Sequence, residues 1–391
     1  MTDWRGIMAM KKRKKFQIIL TFEILIVLAL AVFAVFLVKF NQIDREVVDH
    51  KNVNAKDIEG FTNIMLFGVD ARGNELKNST RSDTMILVSI DEKTKEVTLT
   101  SFYRDYYAFS PAKAKSDKPM KLDSSEFDKL THAYNNGAEA ALKEINTNFD
   151  LDVTDFVTVN FIALVRVIDE LGGIELDIPQ KLVDEVNKYG GEIARKHKEP
   201  FTKVTKSGPQ TVTGYQALGY SRTRKKDGDF YRSQRQREVI NKVFEKFKQG
   251  ANITKANALY NAVAANMTTS FSAKNIISLL ADAPRYKIRE ELNTHLGNGF
   301  PYHPIEYKAS GASCQISSSP RDDIIMLHYN LFNNGVLPDE YTQTSDPNST
   351  SSTESSENTT KNKGKGYKYT PTGTVDLITK YQQMCYDSLK Q

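Results

Sequence analysis

After residue 60 the apolar positions follow two periods, and each period predicts a different kind of element. Short runs rich in β-branched residues predict strands. These runs are NIMLFGV (63–69), TMILVSI (84–90), VTLTSF (97–102) and IELDIP (174–179). Apolar residues three and four positions apart predict helices, over 137–149, 161–173, 233–248, 255–266 and 273–282. Strands interspersed with helices indicate an α/β domain.

Polar stretches interrupt this pattern and predict irregular chain. Residues 180–208 are polar and lysine-rich without a clear period, so we expect a loop and mobile insert there. The low-complexity segment SDPNSTSSTESSENTTKNKGKG (345–366) is expected to be a disordered linker. A short helix is predicted after it, over 374–389, within a C-terminal segment of 367–391. Between residues 285 and 344 the apolar pattern predicts helices and strands only weakly, and this part is assigned only as a C-terminal extension.

The N-terminus carries a long apolar run that predicts a membrane anchor. Residues 16–38 number 23, enough for a helix to cross about 30 Å of hydrocarbon. KKRKK (11–15) precedes the run, so the positive-inside rule places 1–15 in the cytoplasm and the chain after residue 40 outside. We interpret 16–40 as a signal anchor in the cell membrane and 41–60 as a stalk. The alternative, a cleaved signal peptide, is disfavoured because the run does not end in a small-residue cleavage site.

Composition and charge narrow the classes of function. The chain has 391 residues and a formal net charge of +5, with 53 basic residues against 48 acidic ones. This balance excludes a strongly basic protein that coats nucleic acid. The two cysteines, Cys314 and Cys385, show no metal-ligand spacing. An oxidising exterior would permit them to pair, and the sequence leaves that question open.

Charged residues follow the first three predicted strands, where α/β proteins often build their sites. Asp70 and Asp83 lie thirteen residues apart on consecutive connections, so their carboxylates could share one hard cation such as Mg²⁺. Arginines beside such a cation are repelled by it unless a polyanion such as pyrophosphate lies between them. The nearby arginines are Arg72, Arg81 and Arg104. The alternative is that Asp83 caps a turn and the arginines form surface ion pairs.

A second basic cluster, YSRTRKKDGDFYRSQRQRE (220–238), holds seven Arg or Lys residues in nineteen positions. If its start is extended, Arg222 and Arg224 point the same way. On the following helix Gln236 begins an apolar stripe and Arg232 leans towards it. This indicates a polar pocket at the helix N-terminus, a place where phosphate binds. Arg235 is undecided, and the remaining cations are interpreted as solvated: Lys225, Lys226 and Arg237.

Together these motifs resemble the LytR–CpsA–Psr family of Gram-positive cell-envelope proteins. The likeness rests on GVDAR, RSDTMILVSI, YRD, THAYNNG, FIALVRVIDELGGIELDIP and YSRTR…DGDFYRSQRQREVI, in that order. It covers roughly residues 61–282 of a predicted catalytic domain at 61–284. The resemblance implies an α/β/α sandwich with a central mixed sheet, preceded by one transmembrane helix. It also implies an apolar groove that holds a polyprenyl chain.

The resemblance implies roles for individual residues as well. Asp70 and Asp83 would hold Mg²⁺, with Mn²⁺ as an alternative metal. The predicted catalytic residues are Arg104, Asp83 and Arg81. The pyrophosphate would be bound by Arg72, Arg81, Arg104, Arg222, Arg224, Arg232 and Gln236. Two departures from the family pattern leave acceptor recognition open, because Tyr103 stands where a proline is usual and 180–208 matches poorly.

The implied activity is transfer of a glycopolymer from undecaprenyl pyrophosphate to peptidoglycan at the membrane lipid surface. The polymer would be teichoic acid, capsule or another secondary polysaccharide. An acceptor hydroxyl would attack the phosphorus bonded to the polymer, with Asp83, Asp105 or no residue as base. Three other classes stay open: a pyrophosphatase of the same lipid, an envelope-associated transcription regulator and a non-catalytic wall-binding protein. The expected external position of the basic cluster argues against nucleic acid as a partner.

Overall fold

Alternating apolar side chains build one central β-sheet with two buried faces. The computed structural model describes residues 44–390 except 71–75, 77–79, 115–123, 225–227, 250–257, 260–261, 273–274, 276–278, 280–281, 290–297 and 334–368. The strands in this part of the chain are β1 (Asp44–Arg45), β2 (Phe61–Val69), β3 (Ser82–Asp91), β4 (Glu96–Phe102), β5 (Tyr107–Phe109), β6 (Phe127–Lys129), β7 (Asp155–Asn160), β8 (Ile174–Ile178), β9 (Gly208–Val212), β10 (Met267–Thr269), β11 (Lys287–Ile288), β12 (Gly299–Phe300), β13 (Pro304–Ala309) and β14 (Ala312–Ser317).

The helices lie between and after these strands. They are α1 (Ala138–Phe149), α2 (Phe161–Glu170), α3 (Val183–Lys196), α4 (Gly214–Arg222), α5 (Gly228–Lys248), α6 (Pro320–Phe332) and α7 (Gly373–Asp387). A 3₁₀ helix, Leu130–Asn136, precedes α1. The predicted helices over 137–149, 161–173, 233–248 and 374–389 are therefore confirmed. The helix predicted over 255–266 falls partly outside the described residues, and the one predicted over 273–282 falls largely outside them.

The central sheet is mixed, as expected. Its strand order is β1-β10-β7-β2-β3-β4-β11, and β12 also pairs with β4. β2 runs parallel to β7 and antiparallel to β3, while β3 and β4 form an antiparallel hairpin. Because β2 ends where β3 begins, Asp70 and Asp83 come to the same edge of the sheet.

Gly68 permits a close approach at that edge. The β2–β3 register shifts between Gly68 and Val69, so that Gly68 lies opposite Thr84 and Val69 opposite Ser82. A Cβ at position 68 would lie 2.9 Å from the Cβ of Thr84, closer than real Cβ atoms come. Glycine is required here because a side chain would push the two strand ends apart.

Helices cover both faces of the sheet, which confirms the α/β/α layering. On one face Met65 and Leu87 pack with Leu142 of α1. On the opposite face Ile64 and Ile86 pack against α5. The alternation follows from the two-residue period of a strand, which sends neighbouring side chains to opposite sides.

The prediction of a loop over 180–208 is wrong, because this stretch contains α3 and the start of β9. α3 packs against α4 at two glycines. A Cβ at Gly190 would lie 2.5 Å from the carbonyl oxygen of Tyr215, and one at Gly219 would lie 2.3 Å from that of Val186. At these positions the two helices pack backbone against backbone, because glycine has no side chain. The helix α3 therefore lacks part of the periodic apolar stripe by which it could have been predicted.

The chain beyond residue 284 packs onto the same core. Ile324 and Leu327 of α6 and Val375 of α7 are buried with the α1 side of the sheet. The described residues from Arg45 onward cluster as one compact unit. Ile378 of α7 is buried with Ile316 of the β13–β14 hairpin. The extension is thus continuous in packing with the sheet, and the domain boundaries drawn from the sequence stay predictions.

Several expectations fall on other parts of the chain. The cytoplasmic tail (1–15), the signal anchor (16–40) and the linker (345–366) lie outside the described residues. No helix in the described part of the chain is both long and apolar enough to cross a membrane. Within the region predicted as a stalk, Val53 is fully buried. Cys314 and Cys385 are both buried free thiols.

Candidate active site

An ion pair at the ends of β3 and β4 forms the centre of the site. The Nη1 of Arg104 lies 2.5 Å from Oδ1 of Asp83, and neither side chain is fully buried. Asp83 is near the start of β3 and Arg104 follows β4, so the antiparallel hairpin brings them together over 21 residues of sequence. A charge-assisted hydrogen bond of this length holds the guanidinium in one orientation.

Asp105 supports Arg104 from the other side. Its carboxylate accepts hydrogen bonds from Lys129 Nζ at 2.9 Å and from Arg104 Nε at 3.4 Å. Burial alone would raise the pKa of Asp105, but the hydrogen bond from Lys129 and the charge of Arg104 bring this pKa below its ordinary value. Asp105 is therefore ionised at neutral pH and a weak base, because its partners stabilise the charged form.

An apolar groove opens beside the ion pair, between the sheet and helices α2, α4 and α5. Its volume is about 450 Å³. The inner wall is aliphatic, with Leu66, Val157 and Leu164. Polar residues line the same cavity and include six of the residues predicted to act on a pyrophosphate: Asp83, Arg104, Arg222, Arg224, Arg232 and Gln236. A cavity with apolar walls and cationic side chains suits a lipid with a phosphorylated head group.

A second pocket, which is polar and has a volume of about 520 Å³, adjoins the same ion pair. Asp83 and Arg104 line both cavities. The other lining residues are Asp70, Thr80, Arg81 and Asn135. Asn135 lies in the last turn of the 3₁₀ helix, which is tied to β3 because Thr131 Oγ1 donates to the carbonyl of Ser82 at 2.9 Å. The pair thus borders both an apolar cavity and a polar one.

Arg222 is held over an aromatic ring at the groove. α4 begins with a capping box between Thr213 and Gln216 and ends at Arg222. The extended start considered for the basic cluster therefore does not hold at Ser221 and Arg222, which are helical. The guanidinium of Arg222 lies 4.5 Å from the centre of the Phe161 ring. Its Nη1 is buried and has no hydrogen-bond partner within the described structure. An unpaired buried donor that lines a groove is positioned for a ligand oxygen.

The basic residues of α5 are more buried than the sequence suggested. Arg232 is only 8% exposed. Arg235, left undecided, is buried and donates from Nη2 to the carbonyl of Thr223 at 2.5 Å. The prediction that Arg237 is solvated is wrong, because it is 3% exposed and donates from Nη1 to Ser101 Oγ at 2.8 Å. The sequence pattern did indicate that Arg237 is buried, because the apolar residues Ile240 and Phe244 follow it on the same face of the helix.

The other predicted residues lie nearby or outside the described chain. Arg81 is exposed and lines the polar pocket. Asp70 is also exposed and lies 3.4 Å from Lys196 Nζ of α3. Arg72, Lys225 and Lys226 lie outside the described residues. Lys129, Lys196 and Asn135 were missed, because no periodicity marks a polar side chain that reaches a site from a distant loop or helix end.

The two carboxylates predicted to hold a metal line the same polar pocket. No group of three His, Cys, Asp or Glu side chains that could hold a metal is present within the described residues. Mg²⁺ does not need one, because it commonly takes one or two carboxylates and completes its shell with water and phosphate oxygens. Asp70 and Asp83 therefore fit Mg²⁺ or Mn²⁺ when a phosphorylated substrate supplies the remaining oxygens.

These features agree with comparison to known proteins. The model of the LytR_cpsA_psr family matches residues 36–296. The chain belongs to the LytR–CpsA–Psr family. This span contains both cavities and every predicted site residue.

Two relatives and one solved structure illustrate the similarity. Biofilm regulatory protein A of Streptococcus mutans is 33% identical over 286 residues, which covers 69% of this chain and 67% of that protein. The polyisoprenyl-teichoic acid–peptidoglycan teichoic acid transferase TagT of Bacillus subtilis is 28% identical over 246 residues, covering 62% of this chain and 69% of TagT. The structure of TagT bound to LI-WTA has a TM-score of 0.54 and 25% identity, and the match covers 71% of this chain and 93% of that one.

The departure at Tyr103 has a structural account in this LytR–CpsA–Psr protein. Tyr103 is 3% exposed and its amide donates to the carbonyl of Phe300 at 3.0 Å, a bond that proline could not make. A Cβ at Gly299 would lie 2.4 Å from the Tyr103 hydroxyl oxygen, so glycine there leaves room for the ring. The substitution alters the support of the site and leaves its charged residues in place.

Proposed function

We propose that this protein transfers a glycopolymer from undecaprenyl pyrophosphate to a hydroxyl of peptidoglycan, outside the cell and next to the membrane. The observation that carries the proposal is the pair of cavities that share Asp83 and Arg104. One cavity suits a polyprenyl chain and the other suits a hydrophilic polymer, and arginines that could bind a pyrophosphate line both of them. TagT is named as a transferase of teichoic acid from a polyisoprenyl carrier to peptidoglycan.

In the proposed reaction the acceptor oxygen attacks the phosphorus that carries the polymer. A new P–O bond forms to peptidoglycan, the bond from this phosphorus to the bridging oxygen breaks, and polyprenyl phosphate leaves with the electron pair. The hydroxyl proton passes to water, since a loose transition state needs little early proton abstraction. Arg104, Arg81 and Arg222 bind the phosphate oxygens and stabilise the charge on the leaving group.

Asp83 and Asp70 would hold Mg²⁺ against the same phosphates. The metal would supply Lewis-acid polarisation of the phosphoryl oxygens. Asp83 would at the same time orient Arg104 through their ion pair, while Asp105 is occupied by Lys129 and Arg104. The carboxylates are thus assigned to binding and orientation, and no side chain is assigned as an obligatory base.

The test uses the full-length protein in liposomes with a labelled polymer on undecaprenyl pyrophosphate and isolated peptidoglycan. Asp83→Ala and Arg104→Ala should each lower transfer roughly 100-fold or more, since each removes preorganised charge at the phosphates. Arg285→Ala is the matched control, because this arginine is 72% exposed in a surface ion pair with Asp282. Chelation of divalent metal should stop transfer, and added Mg²⁺ or Mn²⁺ should restore it.

The fate of the label separates this proposal from a lipid pyrophosphatase. Label bound covalently to peptidoglycan supports transfer, whereas label released as free polymer phosphate means that water is the acceptor. Full transfer by Asp83→Ala or Arg104→Ala would refute the assigned site.

A further inference from the structure

The loop that carries the ion-paired arginine is fixed by distant segments of the chain. In this loop, residues 103–107, the carbonyl of Arg104 accepts from the amide of Thr131 at 2.9 Å. The carbonyl of Asp105 accepts from the amide of Gln315 at 2.8 Å. The amide of Tyr103 donates to Phe300. Phe300 and Gln315 both lie beyond residue 296, where the match to the family ends.

Gln382 of α7 makes the most distant of these connections. Its Oε1 accepts from the hydroxyl of Tyr106 at 2.8 Å, and its Nε2 donates to the carbonyl of Tyr107 at 2.8 Å. Gln382 is completely buried and Tyr106 is 2% exposed. One carboxamide therefore binds two consecutive residues of the loop, from a helix that is separated from α6 by residues 333–372.

The Tyr106 ring transmits this restraint to the core around the site. It lies 5.3 Å from the ring of Phe300 and 5.9 Å from that of Phe149, so its position is set by packing as well as by the hydrogen bond. Arg104 is two residues away on the same short loop. A change in the backbone angles at 105–107 would move the guanidinium relative to Asp83 and to a bound phosphate.

We propose that Gln382 is a positioning residue for Arg104, and that α7 is a working part of the active site although it lies outside the region matched by the family. α7 holds the 103–107 loop in the geometry that directs Arg104 at the pyrophosphate. The kinetic part of this inference rests on the proposed function, whereas the restraint on the loop does not. A sub-ångström to 1 Å displacement of a catalytic group can lower a rate by up to about 100-fold.

The test compares Gln382→Met with Gln383→Met in the full-length protein. Gln383 is the next residue on the same helix, and its side-chain amide donates to Asp387 Oδ1 on the surface at 3.0 Å. For Gln382→Met we expect kcat to fall about tenfold or more while KM for the lipid-linked donor changes less than about threefold, because the groove still binds the lipid. Gln382→Glu keeps an acceptor for the Tyr106 hydroxyl and should recover part of the lost kcat. Gln383→Met should match the unaltered protein.

Amide hydrogen exchange tests the restraint without any turnover. In Gln382→Met the amides of Tyr106 and Thr131, whose acceptors lie in the loop, should exchange faster than in Gln383→Met. If Gln382→Met does not fold, Tyr106→Phe combined with Gln382→Met replaces both partners by apolar groups and avoids an unpaired hydroxyl. The double variant should then show the same fall in kcat.

The outcomes are distinct. An unchanged kcat in a folded Gln382→Met protein, or an equal loss in both variants, overturns the positioning role, as does unchanged exchange at Tyr106 and Thr131. If the unaltered protein transfers no polymer, the proposed function fails, and the exchange result alone decides whether α7 restrains the loop.

Discussion

We expect Arg222 to add nothing to the stability of the fold while strengthening the binding of a phosphorylated lipid. Its guanidinium stacks on Phe161, and its buried Nη1 has no partner among the described residues. We expect Arg222→Met to leave the free energy of unfolding unchanged or slightly higher, because an unpaired buried donor is removed. The same change should weaken binding of polyprenyl pyrophosphate roughly 10- to 100-fold, as expected for one charge-assisted hydrogen bond. Calorimetric titration and urea unfolding measure the two effects.

Arg166 is the matched control for this experiment. It belongs to α2, as Phe161 does, and is paired in a bidentate manner with Glu199. Arg166→Met should lower stability and leave lipid affinity unchanged. The prediction for Arg222 fails if its substitution lowers stability as much as that of Arg166 and leaves affinity intact.

His303 is expected to make stability depend on pH. Its Nδ1 lies 2.5 Å from Oδ1 of the fully buried Asp323, and this hydrogen bond and the charge of Asp323 raise the pKa of His303 above its ordinary value. A raised pKa in the folded state stabilises the protein below the unfolded value of about 6.5, and this contribution is lost as pH rises through the folded value. Unfolding experiments at increasing pH above about 6.5 should show the decline.

His303→Asn should remove that decline. His328 does not obscure the result, because burial lowers its pKa to about 4 and its contribution is lost only as pH falls below about 6.5. A slope that persists in His303→Asn would assign the effect to another group.

Among helices and strands, the elements that could be predicted from the sequence are those in which buried residues recur at a regular helical or strand spacing. β2, β3 and β4 were predictable because both sheet faces are covered and their buried positions are rich in apolar and β-branched residues. α3 was not, since Gly190 and Gly191 interrupt its apolar face and replace side-chain packing by backbone contact. Asp70, Asp83 and Arg104 could be located because strand ends share one edge of a sheet. The positions of Lys129 and Asn135 depend on a 3₁₀ helix that leaves no periodic signal.

The α3–α4 contact gives a prediction of its own. Gly190→Ala would place a Cβ 2.5 Å from the Tyr215 carbonyl oxygen, so we expect a loss of about 1–3 kcal/mol from overpacking. Gly191→Ala is the control on the same helix, because its Cβ would meet only the Phe201 ring at 3.2 Å. It should be within about 1 kcal/mol of neutral, since alanine favours helix more than glycine does. Urea unfolding of both variants distinguishes them, and equal losses would contradict the contact.

For the molecule as a whole, the return of the chain to the core at 369–372 should hold α7 in place without a covalent link. The Asp150 carboxylate accepts from the Tyr369 hydroxyl at 2.9 Å, the Thr372 amide at 2.8 Å and the Thr372 hydroxyl at 2.7 Å. A protein cut at an inserted protease site within 345–366 should therefore elute as one complex of two fragments in size-exclusion chromatography.

Asp150→Asn should favour dissociation of that complex, because an amide nitrogen cannot accept the bonds that one carboxylate oxygen accepts. Lys380→Ala is the control on α7, because this lysine is 72% exposed and pairs only within its own helix with Asp376 among the described residues. Separation of the fragments in the unaltered cut protein would show that the covalent connection is needed.

The Asp83–Arg104 pair, which borders both cavities, has a consequence for product release. In the proposed reaction the bond that breaks lies at this boundary, so the spent lipid carrier remains on the groove side and the growing wall polymer on the polar side. The two products then leave by separate routes, and neither has to pass the other. An enzyme arranged in this way can keep the spent polyprenyl phosphate bound while the transferred polymer leaves the site attached to peptidoglycan.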